Sequence, residues 1–245
     1  MAGLMYGLTD RLTLMAMGNY TINEMSHVTD SNAFFRTRGS GFGDTTVTGL
    51  YNIYEGKTHY LHLNAGVSLP TGSINERDDT PAAPNGTRLP FKMQPGSGTF
   101  DLKPGLTYSG HSDLWGWGAQ YSGDIHLGRN YKGYALGDRH TLNLWGSYRW
   151  ANWISTSLRL SGETEERVSG DNLNPMMPNM VPTADPDNYG GEKVFVGFGI
   201  NLVGQRGALK GHRIAIEATL PLYQDLNGPQ LESDHMVTLG YQYTF

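Results

Sequence analysis

An all-β fold, an antiparallel transmembrane β-barrel of the outer-membrane type, is what this sequence predicts. Three observations predict it. Segments near ten residues long alternate apolar and polar side chains along the whole chain, which is the length of a tilted strand crossing a bilayer. The connections between them alternate short and long, as periplasmic turns and extracellular loops do. The last eleven residues, His235-Met-Val-Thr-Leu-Gly-Tyr-Gln-Tyr-Thr-Phe245, put Val237, Leu239, Tyr241, Tyr243 and Phe245 on one face of a strand and stop on an aromatic ring. Taken alone, that last segment also fits an edge strand of a soluble β-sandwich.

Composition agrees with a barrel. The chain has 245 residues, enough for one large β domain, with 33 glycines, 11% aromatic and only 17% charged residues. It has no cysteine, which suits passage through an oxidising periplasm and many cytosolic proteins equally. A net charge of −5 gives no basic footprint and argues against a nucleic-acid partner. Mean hydropathy is −0.43, and no stretch approaches the roughly 20 apolar residues of a membrane helix. Lumen and loop residues dilute the lipid-facing ones in a barrel, so the low value does not oppose one.

Eleven strands are expected, at 2–7, 11–20, 45–54, 59–69, 99–109, 114–127, 140–150, 154–163, 193–203, 213–222 and 236–245. The short connections are 8–10, 55–58, 110–113 and 151–153, with 204–212 somewhat longer. The long ones are 21–44, 70–98, 128–139, 164–192 and 223–235. If residue 245 ends at the periplasmic side, strand 2–7 runs inward and an outward strand is missing before it. Single-chain bacterial barrels have even strand counts. The expectation is one barrel domain over 1–245, lacking one N-terminal strand and a signal peptide, with twelve strands in the complete protein.

The two faces of each strand differ. Leu61, Leu63, Ala65, Val67 and Leu69 oppose Tyr60, His62, Asn64 and Ser68. Ile214, Ile216, Ala218 and Leu220 oppose Arg213, Glu217 and Thr219. The apolar faces must meet lipid, because Arg or Lys at the bilayer midplane costs about 2–4 kcal/mol. Tyr6, Tyr54, Tyr108, Trp115, Trp117, Trp150, Trp153 and Tyr243 gather beside the short turns, as one aromatic girdle. Tyr20 and Tyr223 are candidates for the opposite one. Pro104 and Pro221 fall inside strands, and a proline there predicts a bulge.

Three segments carry a family pattern: Gly41-Phe-Gly-Asp44-Thr-Thr-Val-Thr-Gly-Leu-Tyr51, Leu61-His-Leu-Asn-Ala-Gly-Val-Ser-Leu-Pro-Thr-Gly72 and Gly96-Ser-Gly-Thr-Phe-Asp101-Leu-Lys-Pro-Gly-Leu-Thr-Tyr-Ser109. They resemble the outer-membrane transporter-like family named for the meta pathway of phenol degradation. The resemblance covers residues 41–109 closely. It implies a barrel that passes small aromatic or hydrophobic compounds, and brings no catalytic motif with it. The Gly-Asp and Leu-Pro-Thr-Gly pieces lie at strand–loop junctions, where turning the chain is their expected role.

Strand parity gives a set of lumen-lining candidates: Asp101, Lys103, Gln120, Asp124, His126, Asn143, Trp145, Arg149, Arg159, Glu163, Arg213, Glu217 and Gln242. Charged side chains inside a pore set its selectivity; paired across a narrow lumen, they plug it. Trp145 and Phe195 on the polar face either stack on an aromatic solute or fill space. Tyr241, Tyr243 and Phe245 are the expected signal for the barrel assembly machinery. Met176, Met177 and Met180, in the segment 174–181, offer soft thioethers, but no His or Cys lies there, and a flexible loop tip is the plainer reading. No G-x-S-x-G or H-E-x-x-H occurs. No metal and no cofactor are expected. The leading function is passive passage of small solutes across the outer membrane of a Gram-negative bacterium, amid outer-membrane lipids. The alternatives are an outer-membrane enzyme acting on lipid or envelope components, and a plugged barrel that docks other envelope proteins or its own copies.

Overall fold

The computed structural model describes residues 1–29, 32–81, 83–170 and 182–244. Its strands are β1 (Ala2–Gly7), β2 (Leu12–Gly18), β3 (Tyr20–Val28), β4 (Phe34–Phe42), β5 (Thr45–Glu55), β6 (His59–Leu69), β7 (Arg77–Thr80), β8 (Ala83–Arg88), β9 (Phe100–His111), β10 (Trp115–Leu127), β11 (Tyr134–Ala135), β12 (Arg139–Ala151), β13 (Ile154–Glu165), β14 (Ser169–Gly170), β15 (Gly191–Val203), β16 (His212–Leu226) and β17 (Met236–Tyr243). All eleven expected strands are present, with ends moved by a few residues. They form one eleven-stranded antiparallel sheet in the order β1-β2-β5-β6-β9-β10-β12-β13-β15-β16-β17. β1 and β17 stand at its two ends and are not paired with each other.

Each strand pairs with the long strand before and after it in the chain. All long connections therefore leave from one end of the sheet and all short ones from the other. The ladders run deep: β13 and β15 match from Ile154↔Leu202 to Glu165↔Gly191 without a register break.

Burial is inverted relative to a water-soluble protein. Leu142, Leu144, Leu158, Leu160, Ile214, Ile216 and Leu220 are exposed along the outer face. Thr48, Ser68, Asp101, Thr107 and Thr219, on the inner face, are buried. A contiguous apolar band of this size is unstable in water and is explained by an apolar solvent around it. The expected aromatic girdle is on that exposed surface. Trp115 and Tyr148 pack edge to face at 4.9 Å, and Tyr148 and Trp150 at 4.7 Å.

The structure corrects the loops and one proline. Segment 21–44 is not a loop: β3 and β4 pair along their full length, from Tyr20↔Phe42 to Val28↔Phe34. Segment 70–98 contains the β7–β8 ladder and a 3-10 turn, Phe91–Met93. The register shifts beside Pro221, between Val194 and Phe195 of the partner strand, as expected. No register shift occurs at Pro104, which sits opposite Ala65 in an unbroken β6–β9 ladder. On its other side the proline ring faces Gly123, where an added Cβ would lie 3.1 Å from Pro104 Cγ. The missing side chain makes room for the ring, so the strand need not bulge.

The one cluster of buried apolar side chains among the described residues lies in the long connections. Phe91, Tyr134, Val168 and Tyr189 pack together, with Phe91 edge to face with both tyrosines at 4.7 and 5.4 Å. β11 and β14 pair beside it. These segments carry a small core of their own at the long-loop end of the barrel.

Candidate functional site

The inner faces of β2, β5, β6, β9, β10, β12, β13 and β15 line a cavity of about 850 Å³. Period-two alternation delivers one polar side chain into it every second residue. Asp101, Lys103, Gln120, Asp124, His126 and Glu163 of the sequence-predicted set line it. The long connections lean over its mouth, bringing Phe91, Lys92, Gln94 and Leu136 to its wall.

Asp101 and Asp124 in this wall are held by their neighbours. Asp124 holds Lys103 Nζ at 2.6 Å and Arg139 Nη2 at 3.5 Å. Asp101 accepts from Thr99 Oγ1 at 2.6 Å and lies 2.7 Å from His126 Nδ1. The His126 backbone N–H donates to Asp138 at 2.8 Å. Gln120 donates to Thr107 Oγ1 at 2.9 Å. Asp101, Asp124 and His126 each place one ligand atom within 4.8 Å of the others, and the Lys103 ammonium already supplies the positive charge there.

Asp44 was read as a turn residue, and its contacts are those of a loop tie. Its carboxylate accepts from Gly72 N at 2.8 Å, Ser97 N at 2.7 Å and Ser97 Oγ at 2.8 Å. Gly72 and Gly96 touch backbone to backbone there; a Cβ on Gly96 would lie 2.6 Å from the Gly72 carbonyl. Ser97 Oγ is also 3.2 Å from Asp101, so the tie continues into the lumen wall.

The remaining predicted residues are elsewhere on the sheet. Asn143 accepts from Ser161 Oγ at 2.5 Å. Trp145 rests its indole over Gly118, its partner in the ladder. Arg159 and Glu217 form an ion pair. Arg213 donates to Asn201 Oδ1 at 2.6 Å, opposite Gln242. Arg149 donates to the Asp113 carbonyl, which places it at the short-turn end. Tyr241 has its hydroxyl 2.7 Å from His212 Nδ1, and Tyr243 packs on the same ring at 4.7 Å. Phe245 and the methionine segment 174–181 lie outside the described residues.

Sequence parity missed Arg139 and Lys193, which stand at strand ends, and Met15, Met17 and Leu50, which put apolar side chains into the same cavity. It also missed the lid contacts. Lys92 Nζ reaches Glu165 at 2.9 Å and lies over the Tyr189 ring. Burial pushes the Tyr134 and Tyr189 hydroxyls up from their ordinary range, with Arg88 pulling Tyr134 the other way, so both stay neutral, and Tyr134 accepts from Arg88 Nη2 at 3.1 Å. Tyr189 donates to the Thr183 carbonyl at 2.5 Å.

No known family model matches the chain, and no curated protein matches it. Solved structures do. The COG4313 outer membrane channel from Pseudomonas putida F1 superposes with a TM-score of 0.65 at 18% identity, over 98% of this chain and 79% of that one. The likeness is one of fold, an antiparallel β-barrel of the outer-membrane type. The outer membrane protein OprD from Pseudomonas aeruginosa aligns over 98% of this chain and 67% of its own, with a TM-score of 0.41 and 11% identity. The likeness to the phenol meta-pathway family rests on the three segments quoted above. Here the polar side of the sheet lines the cavity and the apolar side is exposed.

Proposed function

We propose that this barrel sits in the outer membrane of a Gram-negative bacterium and lets small molecules cross passively, aromatic and hydrophobic ones among them. One observation carries the reading. A band of exposed Leu, Ile and Val surrounds a polar interior that holds a cavity of about 850 Å³. Lipid covers the outside, and the inside takes a solute of a few rings. The aromatic strand β17 is what the assembly machinery reads. No catalytic step belongs to this function.

The loop cluster around Phe91 favours a second element, a narrowed mouth. Phe91, Lys92 and Leu136 stand between the cavity and the long-loop end. Solutes then pass one at a time, and large ones are excluded.

Swelling of proteoliposomes tests the function. Folded, inserted protein should admit small aromatic and small neutral solutes and exclude a trisaccharide. No swelling with any solute, from protein shown to be inserted, would leave a plugged docking barrel instead.

A further inference from the structure

The cavity is chemically two-sided. On β2 and β5 its wall is apolar: Met15, Met17 and Leu50 face inward. In the ladder Met15 opposes Thr48 and Met17 opposes Thr46, so short hydroxyls separate the apolar side chains. On β9, β12 and β15 the wall carries Lys103, Arg139 and Lys193, with Lys92 on the loop beside them.

That second wall also carries four acids, Asp101, Asp124, Glu163 and Glu165, and three of them are drawn back from the open space. Asp101, Asp124 and Glu165 have side chains 3%, 17% and 13% exposed. The cations paired with them are the more open partners, at 29% for Lys103, 43% for Lys92 and 46% for Arg139. Short carboxylates sit at the wall and accept their hydrogen bonds there. Long cationic stems bring their heads onto these carboxylates, Lys103 on Asp124 at 2.6 Å and Lys92 on Glu165 at 2.9 Å, and leave more of their own surface open. Lys193 stands across the ladder from Glu163 and faces the same space. Lys92, Lys103, Arg139 and Lys193 stand against Asp44, Asp101, Asp124, Glu163 and Glu165, so formal charges nearly balance, yet within the ion pairs the cation is the more exposed partner.

We infer that the lumen selects organic anions with an apolar body, aromatic and short aliphatic carboxylates above all. The carboxylate docks on Arg139, Lys193 and Lys92, and the apolar body lies along Met15, Met17 and Leu50. Thioether side chains adapt to bodies of different shape. The inference rests on the channel function proposed above and names its substrate class.

The test is a planar bilayer holding the full-length protein. In a potassium chloride gradient the reversal potential should have the sign of chloride preference. Benzoate should reduce the chloride current at a concentration about tenfold below benzamide, which has the same ring without the charge. Arg139→Gln with Lys193→Gln should lower the anion-to-cation permeability ratio about threefold. Met15→Asn with Met17→Asn should weaken benzoate block and leave that ratio in place, which separates the two walls. A conducting barrel that prefers potassium, or that treats benzoate and benzamide alike, overturns the inference and leaves the channel standing. An inserted barrel that passes no current overturns both.

Discussion

The Lys103 ammonium lies 2.6 Å from Asp124 Oδ1 on the inner face of the barrel, on neighbouring strands β9 and β10. Both side chains are mostly shielded, and Arg139 completes the group from β12. A shielded charge that loses its partner is costly, whereas removing both charges is nearly neutral. Lys103→Met should therefore lower the folding stability by about 2 kcal/mol, and adding Asp124→Leu should restore most of it. Urea midpoints for refolding into lipid vesicles measure this. A double variant as unstable as the single one would show that the pair contributes nothing through its charge.

Adjacent residues on β12 test the inside-out arrangement. Leu144 is exposed on the outer face, and Asn143 points inward to Ser161. Leu144→Arg should cost about 2–4 kcal/mol in folding into vesicles, and Asn143→Arg well under half of that. Equal costs would contradict the assignment of faces.

Alternation made these faces legible from the residues alone. Eleven strands could be found because lipid on one side and water on the other enforce a strict two-residue period. The β3–β4 hairpin escaped for the same reason. Its outer face runs Tyr20, Ile22, Glu24, Ser26 and Val28, changing from apolar to charged and back, so no single face repeats. The Asp44–Ser97–Asp101 tie was invisible because it joins residues 53 positions apart through loop backbone. Parity put thirteen side chains inside the sheet, but which of them share one cavity depends on strand stagger and loop placement, which parity does not encode.

Trp145 needs Gly118. A Cβ on Gly118 would fall 2.1 Å from Trp145 Cζ2, and the two are direct ladder partners. Gly118→Val should displace the indole and destabilise the barrel by about 1–3 kcal/mol. Tryptophan emission should shift, and the shift should vanish in a Trp145→Phe background. An unchanged spectrum and midpoint would mean that the ring does not rest there.

Phe91 holds the loop lid together, touching both Tyr134 and Tyr189. Phe91→Ala should remove about 3 kcal/mol of lid packing while leaving the sheet intact. Protease cleavage within 70–98 should accelerate, and single-channel current should rise as the mouth widens. Faster cleavage with unchanged current would place the lid away from the solute path.

The most direct test of the account is single-channel recording from full-length protein that is folded and inserted. Stable ohmic steps, altered in size when Glu163 on the cavity wall is changed to Gln, are the predicted result. Silence from protein proven to be inserted would contradict a solute-passing lumen.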